Sequence, residues 1–378
     1  MDFGFSEQQR DVQNLARQIL SDNVTAEKLS QYDDYQAERF DRELWQKFAE
    51  AGLLGVAIDE EFGGMGFGFF ELGLLVEEAG RAIAPLPLIS HLISAALPIQ
   101  QFASHAQKLA WLPKVASGEI LLTAALSEAY NDDPTQPYLT TAKAEGDSLV
   151  LNGEKTNVPF AHIADRILLA AKTSDGIAVV LLDTKAEGVS LSAQQVTTYE
   201  PQYVVSLNNV RIGAGDILAT GMDGQALMQW LAERTTVALC AHQLGASDKA
   251  MRMSASYTAE RKQFGVLIST FQAVGHRAAN CFIDVECLRL NTYQAISRLD
   301  GGLDATNEVQ IAKIWAGDVG HRVSYAAQHL HGGTGIDRDY PLWRYCTWLR
   351  YNEMALGGSA KTLAKLGKRI AAGQAFCS

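Results

Sequence analysis

The sequence holds no apolar stretch as long as the roughly 18 residues that a membrane-crossing helix needs, which argues against a helical membrane span. Cysteine is scarce. The five thiols, Cys240, Cys281, Cys287, Cys346 and Cys377, follow neither a CxxC pattern nor a metal-ligand spacing, so no metal site is expected. They read as reduced, mostly buried thiols of a cytosolic protein. Positive charge is in deficit: 32 basic side chains stand against 43 acidic ones, a net charge of −11. That balance disfavours non-specific nucleic-acid binding. It leaves room for an anionic ligand, which needs only a few local cations. The first residues, MDFGFSEQQRD, turn acidic and polar too early for a secretory signal, so a cytoplasmic location is expected.

What is present is a chain of 378 residues, 47% of them hydrophobic, enough for two or three domains with sizeable cores. Residues 1–118 read as a helical domain. Val12, Leu15, Ala16, Ile19 and Leu20 recur at helical spacing, and Phe40–Leu54 repeats the pattern with Leu44, Trp45, Phe48 and Leu53. A Gly-rich loop at Asp59–Gly66 follows, readable equally as a flexible connector. Glu71–Ile83, Leu86–Phe102 and Leu109–Val115 supply further apolar helices. Over residues 119–222 the period changes. Leu149–Lys155 carries an Asn152-Gly153 turn signal, and the apolar runs Arg166–Lys172 and Ile177–Asp183 flank Ser174-Asp175-Gly176 as a hairpin. With Tyr203–Val210 these strands predict a small β-barrel or sandwich. Residues 223–378 return to long helices. One begins near Ala226, another spans Gln272–Arg298, and a third shows the face Val309, Ala312, Trp315, Val319, Val323 and Ala326. The last spans Pro341–Ile370. Together they predict a four-helix bundle. The expected class is α+β, with an all-α N-terminal domain, a β domain in the middle and the bundle at the C-terminus.

Two stretches carry chemistry. In His329–Ser359 a helical segment stops at Gly332-Gly333-Thr334-Gly335, and Tyr340-Pro341 starts another helix. Locally, the Gly run fits a helix C-cap and turn, or a backbone stripped of side chains so that its N–H groups can approach a phosphate or ribose. Upstream lie Glu260–Gly265 (ERKQFG) and Phe271-Gln272. Together, RKQFG…FQ and HGGTG resemble the C-terminal domain of the acyl-CoA dehydrogenase family, and the resemblance continues through the whole chain. It implies flavoenzymes that remove hydrogens from the α and β carbons of an acyl-CoA. FAD lies across a subunit boundary, and an electron-transfer flavoprotein accepts the electrons.

Carried over residue by residue, the resemblance divides the flavin site into two halves. The half that holds the ADP end is largely kept. Arg261 matches the pyrophosphate arginine, a task suited to a permanently charged fork. Phe264 matches the neighbouring aromatic, Gln272 the glutamine that hydrogen-bonds the cofactor, and Gly332, Gly333 and Gly335 the glycines that approach the adenosine. His329 replaces a glutamine and keeps one hydrogen-bonding function. The half that cradles the flavin ring departs from the pattern. In Leu126–Pro134, Ser127 stands in for a threonine hydroxyl, but the glycine-serine pair is absent. The family's tryptophan-isoleucine-threonine becomes Asn157-Val158-Pro159, and the position of the glutamate base falls on Leu356. A minority of the family places the base on the first bundle helix, where Thr235 stands with Glu233 two residues away; Glu353 is another candidate.

Losing a general base costs ~10²–10⁴ in rate, so the catalytic residue of this chain is unassigned. The resemblance extends, through FDRELW and ALGGS, to the base-lacking partner subunits of heteromeric acyl-CoA dehydrogenases that act on steroid side-chain thioesters. It implies a heterotetramer with one FAD for each unlike pair. Two alternatives remain: a self-sufficient homo-oligomer using Glu233 or Glu353, and a non-redox scaffold subunit of the same fold.

Overall fold

A computed structural model describes residues 4–131 and 133–374. Cys377, Asp132 within the 126–134 stretch, and the first three residues lie outside the described residues. The chain runs α1 (Glu7–Asn23), α2 (Ala26–Ser30), α3 (Arg42–Glu50) and α4 (Phe69–Ala82). A π-helical stretch, Ile89–Ala96, leads into α5 (Leu97–Phe102), then α6 (His105–Ala116). The strands are β1 (Leu122–Ala125), β2 (Thr141–Glu145), β3 (Ser148–Pro159), β4 (Arg166–Thr173), β5 (Gly176–Asp183), β6 (Val189–Gln194), β7 (Gln202–Ile212) and β8 (Ile217–Ala219). After them come α7 (Gly221–Glu260), the two-residue strands β9 (Lys262–Gln263) and β10 (Val266–Leu267), α8 (Gln272–Asp300), α9 (Thr306–His331), α10 (Leu342–Met354) and α11 (Ser359–Ala371). Two compact units result. A helical unit draws on residues 1–26, 73–84 and 236–378, and a sheet unit on residues 27–72 and 85–235.

In the sheet unit, β4 and β5 pair in antiparallel register from Arg166↔Asp183 to Thr173↔Gly176, the hairpin expected from the sequence. Both strands are buried almost throughout, because Ile167–Ala171 and Ile177–Leu182 face packed layers on each side. The strand order is β6-β7-β3-β2-β4-β5-β8, with β1 parallel to the first half of β4. This is a mixed sheet and not a closed barrel, which corrects the barrel form of the expectation. β6 alternates exposed residues along one edge, and β8 meets β5 at only two residue pairs, so nothing draws the edges together. The Asn152-Gly153 turn is also corrected. β3 runs straight through it, with a bulge between Leu151 and Gly153 in its pairing with β7. The reversal lies instead at Gly146-Asp147, between Glu145↔Ser148.

Ser6 and Gln9 form a capping box on α1, and Ser104 and Gln107 another on α6. The loop after α3 is folded rather than a loose connector. Met65 N–H donates to the Gly55 carbonyl (2.9 Å) and Gly66 N–H to that of Ile58 (2.8 Å).

The helical unit is built on α7, α8, α9 and α10, with α9 packed against α8, α10 and α11. On α9, Val309, Ala312, Val319, Val323 and Ala326 are buried as the periodicity predicts, while Trp315 is half-buried. The single helix expected over 341–370 is two. α10 and α11 are separated at Ala355–Gly358, where Leu356 and Gly357 take φ of +54° and +99°. Gly80 and Gly245 let α4 and α7 approach until their backbones touch; a Cβ on Gly80 would overlap the His242 backbone, and one on Gly245 that of Glu77. An ionic knot closes this contact. Glu77 accepts from Tyr293 Oη (2.6 Å), Arg81 (2.8 Å) and Arg289 (3.1 Å), Glu78 from Arg17 (2.7 Å), and Asp248 from Arg252 (2.9 Å) and Arg81. Cys240, Cys281 and Cys346 are buried free thiols and Cys287 is half-buried. Among the described residues, no helix is long and apolar enough to cross a membrane.

Candidate functional site

Seven of the residues singled out in the sequence converge at one end of the helical unit. α7 ends at Glu260, and Arg261 N–H still closes onto the Tyr257 carbonyl (2.9 Å). β9 and β10 then form a minimal antiparallel hairpin, Gln263↔Val266. Its tip is Phe264-Gly265, both with positive φ (+55° and +81°), the arrangement a tight two-residue hairpin turn demands. The turn holds Phe264 out, 93% exposed, with Phe271 edge-on to it at 6.3 Å between centroids. Arg261, on the stem, is exposed, and Gln272 is the first residue of α8, also exposed.

α9 stops at Gly332, whose φ of +61° and ψ of −135° lie in a region essentially restricted to glycine. Gly333 follows in a one-turn 3₁₀ segment, Gly332–Ile336. A Cβ on Gly332 or Gly333 would meet nothing within 4 Å, so both present open backbone. Gly335 differs: its Cβ would stand 2.7 Å from the Gln328 carbonyl oxygen and 3.0 Å from His331 Cβ. Its lack of a side chain serves packing of the turn against α9, while Gly332 and Gly333 leave a surface free.

Next to this surface, Arg277 Nη1 lies 2.7 Å from His329 Nδ1. A guanidinium is donor-only, so Nδ1 accepts and the imidazole proton of neutral His329 resides on Nε2. His329 can therefore still donate outward. Arg277 also brings a second positive charge beside Arg261's end of the unit. It sits five positions into α8 from Gln272, beyond the motif that the sequence displayed. Beneath the turn lies a second group that sequence reasoning missed. Buried His331 stacks on Tyr257 (4.3 Å, 26°) and faces Tyr340 (5.1 Å). Tyr257 Oη lies 3.4 Å from Thr334 Oγ1. The only sequence signal for Tyr257 is its place one helical turn before Arg261.

The residues matched to the ring-cradling half behave otherwise. Ser127 is half-buried and forms an isolated bridge with Thr156 in the sheet unit. Asn157 takes φ of +54°, with its N–H donating to Gln194 Oε1 (2.8 Å). Val158 turns wholly into the sheet core, and the Pro159 carbonyl accepts from Thr123 Oγ1 (2.6 Å). Leu356 is half-buried at the break after α10. There Lys313 Nζ on α9 donates to the carbonyls of Asn352 (2.6 Å) and Glu353 (3.3 Å). Lys313 and His331 are 18 positions apart on one helix, which separates the Leu356 break from the Gly turn by about 27 Å along α9. The two glutamates weighed as a base are engaged. Glu353 pairs with Arg350 (2.7 Å) and His321 (3.4 Å), and Glu233 accepts from Gln229 (2.9 Å). Thr235 is buried, its hydroxyl 3.0 Å from that of Ser94. The ADP-end residues thus fit an extended dinucleotide tail, with open backbone, guanidinium groups and a free imidazole N–H. The positions matched to the ring and base offer neither an aromatic face nor an unpaired carboxylate.

The acyl-CoA dehydrogenase N-terminal domain profile matches residues 6–119, and the C-terminal domain profile matches residues 222–371. Acyl-CoA dehydrogenase FadE27 of Mycobacterium tuberculosis is 34% identical over 379 aligned residues, 98% of this chain and 99% of that protein. Among solved structures, a chain of the ChsE4-ChsE5 complex from Mycobacterium tuberculosis matches with a TM-score of 0.92 at 34% identity, covering 98% of this chain and 99% of that one. A chain from a variant of the Tcur3481-Tcur3483 steroid ACAD matches with a TM-score of 0.90 at 37% identity, covering 97% and 98%. With both terminal domains matched and a relative of this identity spanning the chain, the protein belongs to the acyl-CoA dehydrogenase family, flavin-dependent oxidoreductases acting on CH–CH bonds.

Proposed function

We propose that this chain is one subunit of a heteromeric acyl-CoA dehydrogenase, binding the ADP end of an FAD whose ring pocket and proton-accepting glutamate belong to an unlike subunit of the same fold. The single observation that carries the reading is the contrast within the chain. Gly332 and Gly333 present open backbone next to His329, which Arg277 of α8 contacts, in a turn whose Thr334 meets Tyr257 one helical turn before Arg261, whereas Leu356 stands where the resemblance puts the base and Val158 is turned into the core. FAD supplies hydride-accepting chemistry when bound. This chain's residues grip the pyrophosphate and adenosine: Arg261 as a charge-assisted fork, Gln272 and His329 through hydrogen bonds, and the glycine N–H groups through close approach. The substrate would be an acyl-CoA thioester of a steroid side chain, in keeping with the steroid ACAD and the two-component complex among its relatives. The assembly would be a cytoplasmic heterotetramer that passes electrons to an electron-transfer flavoprotein.

The test is stoichiometry and colour. Purified alone, the chain is expected to be colourless and to reduce no dye with any acyl-CoA. Co-purified with its unlike partner, it is expected to carry one FAD per pair. A yellow, active homo-oligomer would overturn the reading. Arg261→Ala in the complex should weaken FAD binding about 10–100-fold, the worth of a charge-assisted contact to phosphate; unchanged retention would remove the ADP-end role.

A further inference from the structure

The Gly332–Ile336 turn and the Arg261 hairpin belong to different parts of the sequence, yet one extended ligand must meet both. What fixes their spacing is a stack of rings from three segments: Tyr257 on α7, four residues before Arg261; His331, the last residue of α9; and Tyr340, which closes the loop before α10. The polar atoms of the stack determine its arrangement. His331 Nδ1 lies 2.8 Å from the Ala327 carbonyl oxygen, an acceptor only, so Nδ1 carries the proton. The Nε2 lone pair is then free to accept from Tyr340 Oη, 3.2 Å away. Burial also pushes the His331 imidazole below its ordinary pKa, which favours this neutral tautomer. Tyr257 adds a contact into the turn itself, between its Oη and Thr334 Oγ1. Removing the ring at position 331 would take away its stacking on Tyr257 and leave the 3.4 Å Tyr257–Thr334 contact, whereas removing only the Nε2 acceptor would keep the stack but cut its tie to Tyr340.

We propose that His331 is a positioning residue of the nucleotide site: held by Ala327 and Tyr340 and stacked on Tyr257, it sets the exposed backbone of Gly332 and Gly333 at a fixed distance from Arg261. It touches no cofactor; it acts through the turn that it precedes. The inference rests on the ADP-end reading above, and the experiment separates the two.

The assembled complex is prepared with Arg261→Ala, His331→Phe, Tyr340→Phe and the Arg261→Ala/His331→Phe double variant. ADP is the probe for the tail, FAD for the whole cofactor, and the urea midpoint reports stability. Tyr340→Phe, which keeps the ring and deletes one neutral hydrogen bond, should raise the Kd for ADP about fivefold. His331→Phe should raise it at least as much. The double variant should lose clearly less than the product of its parents, because Arg261 gains from the turn only while His331 holds it in place. The urea midpoints should shift additively, as they would not if the ring were coupled to Arg261 through general stability. If Arg261→Ala weakens ADP but the His331 and Tyr340 variants do not, or if the losses multiply, the positioning role is refuted and the ADP-end reading survives. If Arg261→Ala itself is silent, the ADP-end reading fails first.

Discussion

Cutting the Glu128–Lys155 pair should unmoor the segment that follows Ser127. Lys155 Nζ donates to Glu128 Oε1 at 2.8 Å, and both side chains are buried in the sheet unit. The same carboxylate accepts three backbone N–H groups of the incoming β2 connection, from Tyr138 and Leu139 (2.8 Å each) and Thr140 (3.1 Å). Burial alone would push Glu128 up, but the Lys155 charge and hydrogen bond, with the Leu139 and Tyr138 N–H groups, outweigh it and hold the carboxyl at about 2. Burial in turn pushes Lys155 down. The two effects oppose each other in stability. Glu128's depressed pKa contributes stability that is present above about 4.5 and lost as pH falls toward 2, while desolvation of Lys155 offsets part of it at every pH below its unfolded pKa. The intact pair is therefore worth less than the damage done by breaking it. Lys155→Met keeps the stem and removes the charge, stranding a buried carboxylate. Such a cut costs roughly 3–5 kcal/mol, and the three surviving N–H bonds place it near the lower end, about 3 kcal/mol. Urea unfolding at pH 7 measures it. The Glu128→Gln/Lys155→Met double variant should recover at least half of the loss, since no buried charge is left unpaired. A single-variant loss below about 1 kcal/mol, or a double variant no better than Lys155→Met, would refute the reasoning.

Other perturbations test other parts of the molecule. Leu356→Glu, in the chain alone, should create no acyl-CoA dehydrogenase activity, because Asn157-Val158-Pro159 still lacks a ring-facing aromatic and hydroxyl; turnover above background in a stopped dye assay would show a complete ring pocket in this chain. His91 is fully buried, with Nδ1 accepting from the Leu122 N–H (2.9 Å), and burial lowers its pKa to about 3. Its folded pKa lies below the unfolded one, so it costs nothing above about 6.5 and removes stability as pH falls below that, by about 2 kcal/mol at pH 5. His91→Gln should abolish that share of the pH 7 to pH 5 loss, and an unchanged difference between the two pH values would contradict it.

Much of the local structure was legible in the residues. The buried face of α9 was legible because Val309, Ala312, Val319, Val323 and Ala326 recur at helical spacing. The β4–β5 hairpin was legible because its strands are apolar without interruption on both sides of a turn. Asn152-Gly153 misled for a physical reason. Its turn propensity is worth little against the ladder that β3 makes with β7, which absorbs the extra residue as a bulge. The break at Leu356 was missed although Gly357-Gly358 is a helix stop signal; Gly357 and the left-handed Leu356 end α10.

By itself, then, the chain specified the Gly332 stop, since it depends on backbone angles that glycine accommodates readily. It also specified that Leu356 and Val158 lack the groups needed to take a proton or face a flavin, because that is a matter of side-chain identity. Tertiary structure alone decided the rest. It brought Tyr257, His331 and Tyr340 into one stack, put Arg277 against His329, and closed Glu77 and Glu78 with Arg17, Arg81 and Arg289. Apart from Glu77 with Arg81, four positions apart on α4, and His331 with Tyr340, nine apart, these contacts join residues separated by tens to hundreds of positions, and their energy exists only once helices have packed, so no local period or propensity encodes them.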